Sequence, residues 1–178
     1  MLWMYEKSAD NTSRFVLGTR GVNSLACFGI NPSTAAPDAL DNTLKSVERI
    51  ARINHFDSWI MFNVYPQRAT NPNDLHAEMD PELHRLNLMH IDQVLAEFRP
   101  VLWAAWGTLI HKRAYLPACL LDIDEVVKCH PDCRWLTFGK RSKDGHPHHP
   151  LYLNSQAEAD NFAIIEYTRS MTDFNKRR

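Results

Sequence analysis

Four short, almost unbroken apolar runs, separated by helix-length segments, constrain this chain more than any other feature. They are Ser24-Leu25-Ala26-Cys27-Phe28-Gly29-Ile30, Ser58-Trp59-Ile60-Met61-Phe62-Asn63-Val64, Val101-Leu102-Trp103-Ala104-Ala105-Trp106 and Arg134-Trp135-Leu136-Thr137-Phe138. A strand that is apolar at successive positions has no face left for water, so both faces must be covered. The intervening segments supply the cover. Thr43 to Asn54 spaces Leu44, Val47, Ile50, Ala51 and Ile53 at helical intervals, with Asp41 or Asn42 as its N-cap. Pro81 to Phe98 carries a long apolar stripe, and Thr108 to about Leu121 reads as a helix interrupted by Pro117. Gln156 to Thr168 reads as a closing helix.

This alternation predicts an α/β fold: a three-layer α/β/α sandwich around a mostly parallel sheet of about four strands. Arg14 to Gly18 is expected to form an edge hairpin with the first run across Thr19-Arg20-Gly21. At 178 residues the chain suits a single domain over 1–178, with a core of about 14–170 and a basic tail at 174–178.

Composition narrows the function classes. Twenty Lys and Arg against 21 Asp and Glu, a formal charge of −1, exclude a globally basic nucleic-acid wrapper. The acidic residues concentrate in 74–97 and 122–125, whereas Lys140-Arg141-Ser142-Lys143 forms a basic run. No apolar stretch approaches the roughly 20 residues of a spanning helix, and the first residues lack a signal-peptide pattern. Four cysteines do not make a small disulfide framework. A reduced, cytoplasmic protein without membrane partners is expected, with its oligomeric state open.

Ligands of open α/β sheets bind beyond the carboxyl ends of the strands. The residues closing each run are therefore the informative ones: Asn31-Pro32-Ser33-Thr34, Asn63-Val64-Tyr65-Pro66, Gly107-Thr108, and the loop Gly145-His146-Pro147-His148-His149-Pro150-Leu151-Tyr152. Two amides, several hydroxyls and a histidine cluster gather at one edge. Each alone reads as an ordinary turn residue.

These motifs resemble the uracil-DNA glycosylase superfamily, especially its mismatch-specific branch. Gly29-Ile30-Asn31-Pro32 is similar to its first motif, Met61-Phe62-Asn63-Val64 to its second-strand segment, and Trp106-Gly107 to the end of its third. His149-Pro150-Leu151 is similar to its fourth-strand loop, shortened by two residues. More closely, Asn-Pro-Ser-Thr-Ala, Asp-Asn-Thr, Trp-Gly and His-Pro-Leu-Tyr resemble the family called domain of unknown function 1643, over about residues 14 to 155.

The glycosylase resemblance implies a fold of that type and hydrolysis of an N-glycosidic bond in nucleic acid or a nucleotide. The alternative is a non-catalytic nucleotide- or nucleic-acid-binding module on the same fold. Asn31 would position the water, Asn63 would read the base edge, and His149 would donate to the departing base. Ser33 and Thr34 would hold a phosphate, Gly107 would border the substrate, and Tyr65 would supply the stacking ring. Leu151 or Tyr152 would act as the wedge. Asn31 stands where a carboxylate is usual and cannot take a proton, so Asp38 or Asp41 is the candidate base. Lys140, Arg141 and Lys143 lead among candidate phosphate contacts, with Arg14, Arg20 and Arg68. No cofactor is implied. A weaker alternative is a zinc-stabilised interaction domain, using Cys129 and Cys133 with His146, His148 and His149.

Overall fold

The computed structural model describes residues 2–154 and 156–176. Its strands are β1 (Trp3–Lys7), β2 (Arg14–Thr19), β3 (Ser24–Gly29), β4 (Ser58–Asn63), β5 (Val101–Ala104), β6 (Trp135–Phe138) and β7 (Ala159–Asn161). Its helices are α1 (Asn42–Ile53), α2 (Pro81–Phe98), α3 (Leu116–Lys128) and α4 (Ile164–Lys176). The strands form one mixed sheet in the order β1-β2-β4-β3-β5-β6-β7. The four apolar runs are the central strands and are mutually parallel. Antiparallel strands extend both sides. Among the described residues the sheet therefore has seven strands and is evenly mixed, three pairings parallel and three antiparallel, rather than the mostly parallel sheet of about four strands expected from the apolar runs.

Alternation sends successive side chains of the central strands to opposite faces. Ala26, Phe28, Ile60, Phe62 and Leu102 meet Ile91, Val94 and Leu95 of α2, Leu120 and Ile123 of α3, and Tyr167 of α4. Leu25, Cys27, Trp59, Met61 and Trp103 meet Leu44, Val47 and Ile50 of α1 on the other face. Helices therefore cover both faces. No helix among the described residues is long and apolar enough to cross a membrane, and all four cysteines are free thiols.

The expected hairpin is not formed. Strand β2 pairs with β1 and with β4 (Leu17 opposite Met61), and β4 lies between β2 and β3. The connection after β2 is fastened to Asp57, just ahead of β4, whose carboxylate accepts from the Val22 and Asn23 amides at 3.0 Å each. A side chain at Gly18 would collide with the backbone of Trp59 and Ile60, so glycine permits this close pairing.

Two helix boundaries also differ from expectation. Pro117 lies in the first turn of α3 rather than breaking a helix, because a proline there forfeits no hydrogen bond. A 3₁₀ turn, Gly107–His111, precedes it. Residues 156–168 divide into β7 and the start of α4 instead of forming one helix. Asn175 and Lys176 of the expected tail continue α4, while Arg177 and Arg178 lie outside the described residues.

Strand β3 is where the connections reverse direction. Helix α1 leads to β4 on one side, and α2 returns the chain to β5 on the other. Such a reversal opens a crevice beyond the carboxyl ends of the strands.

Candidate functional site

A cleft of about 210 Å³ occupies that position. Asn31, Ser33, Asp41, Asn63 and His149 all line it, together with Arg14, Gly29 and Thr43. Asn31 follows β3, and its Nδ2 donates to the carbonyls of Ala69 at 2.6 Å and Pro32 at 3.2 Å. Those bonds fix the amide and leave Oδ1 as its acceptor.

Asn63 is the last residue of β4 and is 1% exposed. Its Oδ1 accepts from Arg14 Nη2 at 3.4 Å, whereas its Nδ2 has no partner. Gly29 makes room for this side chain. A Cβ at position 29 would stand 2.7 Å from Met61 Cε and 3.1 Å from Asn63 Nδ2.

His149 caps a 3₁₀ turn, Pro150–Tyr152, and its Nδ1 accepts from the Leu151 amide at 3.3 Å. A nitrogen that accepts carries no proton, so the neutral ring bears its hydrogen on Nε2. Burial lowers the His149 pKa, with Asp41 opposing. The ring is thus a neutral donor at neutral pH. Asp41 is the N-cap of α1: one oxygen accepts from the Leu44 amide at 2.9 Å, the other from the Ser33 hydroxyl.

The His loop is tied down from behind. Trp106 Nε1 donates to Tyr167 Oη at 2.9 Å, and that hydroxyl lies 2.9 Å from His146 Nδ1. Indole only donates, so the hydroxyl accepts from Trp106 and keeps its own hydrogen available for His146 Nδ1. Burial, then His111, lowers the His146 pKa. Burial raises the pKa of Tyr167.

Arg14 brings a buried positive charge to the cleft, which the Asp41 carboxylate shares. Arg14 is 2% exposed and reaches two neutral acceptors, Ala35 O at 3.3 Å and Asn63 Oδ1 at 3.4 Å. Burial, and next the nearby Arg68, bring its pKa down to about 10, against the pull of Asp41. The sequence offers Arg14 only among several candidate phosphate contacts and ranks it behind the Lys140–Lys143 run. The available signal was a charged residue opening an apolar run, Arg14-Phe15-Val16-Leu17.

The remaining predicted residues fall elsewhere. Gly107 and Tyr152 line a neighbouring, more apolar pocket of about 390 Å³ with Trp106 and His146, which shares Leu109 and His149 with the cleft. Gly107 turns in the left-handed region there (φ 63°). Thr34 is exposed. Tyr65 is not in the cleft: it is wholly buried in the core beneath α2 and α3, its hydroxyl bonded to His76 Nδ1 and the Asp80 amide. Asp38 is exposed and accepts from Trp3 Nε1, so of the two candidate bases only Asp41 lines the cleft.

Lys140 and Arg141 border a separate, shallower groove beside β7, and Lys143 is exposed. Arg141 donates to Asn161 O at 3.1 Å and stacks over Phe162 at 5.1 Å. Cys129 ends α3 and Cys133 precedes β6, at the opposite end of that strand from the histidine loop. Among the described residues no three metal-ligating side chains gather, so the zinc arrangement is not assembled.

The described family "Protein of unknown function (DUF1643)" matches residues 14–151, from the first residue of β2 to just past His149. The chain belongs to the DUF1643 family. Every residue named above as lining the cleft lies within the DUF1643 match, whereas β7 and α4 lie outside it. The chain matches no curated protein and no solved structure.

Proposed function

We propose that the cleft is a nucleobase- or nucleotide-binding site of the glycosylase type, and that its groups serve hydrolysis of an N-glycosidic bond. One observation supports this reading above the others: the Asn63 amide, almost wholly buried, offers an unpartnered Nδ2 at the cleft. A buried donor without an acceptor costs on the order of 1–3 kcal/mol, and a carbonyl on a base edge would relieve it. With Oδ1 turned to Arg14, Asn63 reads a carbonyl as a donor rather than pairing bidentately.

In hydrolysis, water adds to the anomeric carbon while the bond to the base nitrogen breaks, and the electron pair leaves with the base. Asn31 Oδ1 would hold the water, Asp41 would take its proton, and His149 Nε2–H would donate to the leaving base oxygen. These assignments draw on the motif resemblance as well as on the shared cleft.

Binding without hydrolysis is the second reading, favoured by one specific feature. Both oxygens of Asp41 are already engaged, by the Leu44 amide and the Ser33 hydroxyl. A base-release panel on modified single- and double-stranded DNA and on nucleosides, run beside equilibrium binding, separates the two. Hydrolysis predicts that Asn31→Ala abolishes release while binding persists. Binding without release, weakened roughly tenfold by Asn63→Ala, establishes the second reading. Wild-type protein that neither binds nor releases any base overturns both.

A further inference from the structure

Arg14 and Arg68 present two guanidinium groups whose hydrogen bonds reach no carboxylate, although the charge of Asp41 acts on Arg14. Both reach the same carbonyl, Ala35 O, at 3.3 Å each. Arg68 donates further to Ser33 O and, at 2.8 Å, to the Tyr5 hydroxyl. All of these acceptors are neutral. The Nε atoms of both arginines are buried and unpartnered. Among the described residues neither arginine forms an ion pair with an acidic side chain. Asp41 lines the same cleft and offsets part of the Arg14 charge, but its oxygens are bonded to the helix cap and Ser33 rather than to either guanidinium.

Buried charges in folded proteins are normally paired, because an unpaired one forfeits its hydration without compensation. Here the cation is retained beside an open cleft, and beside it stands a second unpartnered donor, Asn63 Nδ2. A neutral base edge can satisfy the amide but cannot neutralise a guanidinium. We infer that the cleft floor is an anion subsite: Arg14 receives a phosphate monoester or carboxylate of the ligand, in the region between Asn63 and the Ser33–Ala35 turn. Arg68, which does not line the cleft, is a positioning residue that adds charge from behind. The proposal rests on the cleft being a ligand site. It sharpens the ligand class from any nucleobase to an anionic one such as a nucleoside monophosphate.

The test is calorimetric titration of the full chain with inorganic phosphate, acetate, a nucleoside and its 5′-monophosphate. Wild type, Arg14→Gln and Arg141→Gln are compared. The monophosphate is expected to bind at least roughly tenfold more tightly than the nucleoside, the scale of a charge-assisted bond in a partly dry site. Arg14→Gln should erase that preference and Arg141→Gln should keep it. Competition by phosphate or by acetate tells which anion the subsite takes.

Equal binding of nucleoside and monophosphate by wild type overturns the anion subsite and leaves base recognition standing. Phosphate binding with no affinity gained from the base does the reverse. A preference that survives Arg14→Gln also overturns the inference. Should that variant fail to fold, the wild-type ligand pair decides, and Arg68→Gln should weaken the preference by a smaller factor.

Discussion

The carboxyl edge of the sheet carries two polar regions that differ in who solvates them. Under β3 and β4, Arg14, Asn63, Asp41 and His149 are wholly or partly withdrawn from water and satisfied mainly by protein atoms, with specific vacancies left over. After β6, Lys140, Arg141, Lys143 and Asp144 turn outward, and Tyr152 is 78% exposed. The second region has the denser run of charge, yet water already solvates it. The first region, unlike the second, leaves buried donors at a cleft without partners.

The contrast can be broken by paired substitutions. The largest difference is expected between two tyrosines. Tyr167→Phe strips Trp106 Nε1 and His146 Nδ1 of a shared partner and should lower unfolding free energy in urea by about 2–4 kcal/mol. Tyr152→Phe should stay within about 0.5 kcal/mol of wild type. If both cost the same, the chain behind the His loop is not the anchor described here.

Next come two arginines. Arg14→Met removes a buried, unpaired cation but also strips Asn63 Oδ1 of its donor, so the two effects should offset to within about 1 kcal/mol, while any stabilisation by added phosphate is abolished. Arg141→Met should change stability by less than about 0.5 kcal/mol. An Arg14→Met variant that still responds to phosphate would contradict the account. Asp41→Ala removes the α1 cap and should cost about 1 kcal/mol, read from the same denaturation curves.

How much of this was legible follows the same physical line. The central strands were readable because burial on both faces leaves an unmistakable apolar run. Strand β7 was not, because all three of its residues are exposed and carry no pattern. The hairpin was misplaced because local sequence does not reveal that β4 inserts beside β2. Asn31 and Asn63 stood out because they close apolar runs, and His149 because it belongs to a histidine cluster in the loop after the fourth. Tyr65 was drawn to the wrong place because the chain leaves the strand at Asn63, after which alternation no longer tells which face a side chain takes. Arg14 looked like Arg20 or Lys140, since burial is decided by elements distant in sequence.

The smallest predicted effect is pH-dependent. Burial is the largest cause lowering the pKa of His90, His146 and His149 in the folded chain. The unfolded chain then binds protons more readily, so stability should fall as pH drops through the unfolded value of about 6.5. Above that value these three groups contribute no slope. Denaturation curves from pH 8 down to about 5 would show it, and a stability that rises on acidification over that range would contradict it.

Asn63 Nδ2 and Arg14 Nε remain without partners, and the proposed ligand would fill them. The most direct check follows the Asn63 side-chain amide and the Arg14 Nε–H by nuclear magnetic resonance while a nucleoside 5′-monophosphate is added. Both signals should move and saturate together at one affinity. If they stay fixed while signals around Arg141 and Tyr152 move, the ligand binds on the solvated side and the account is wrong.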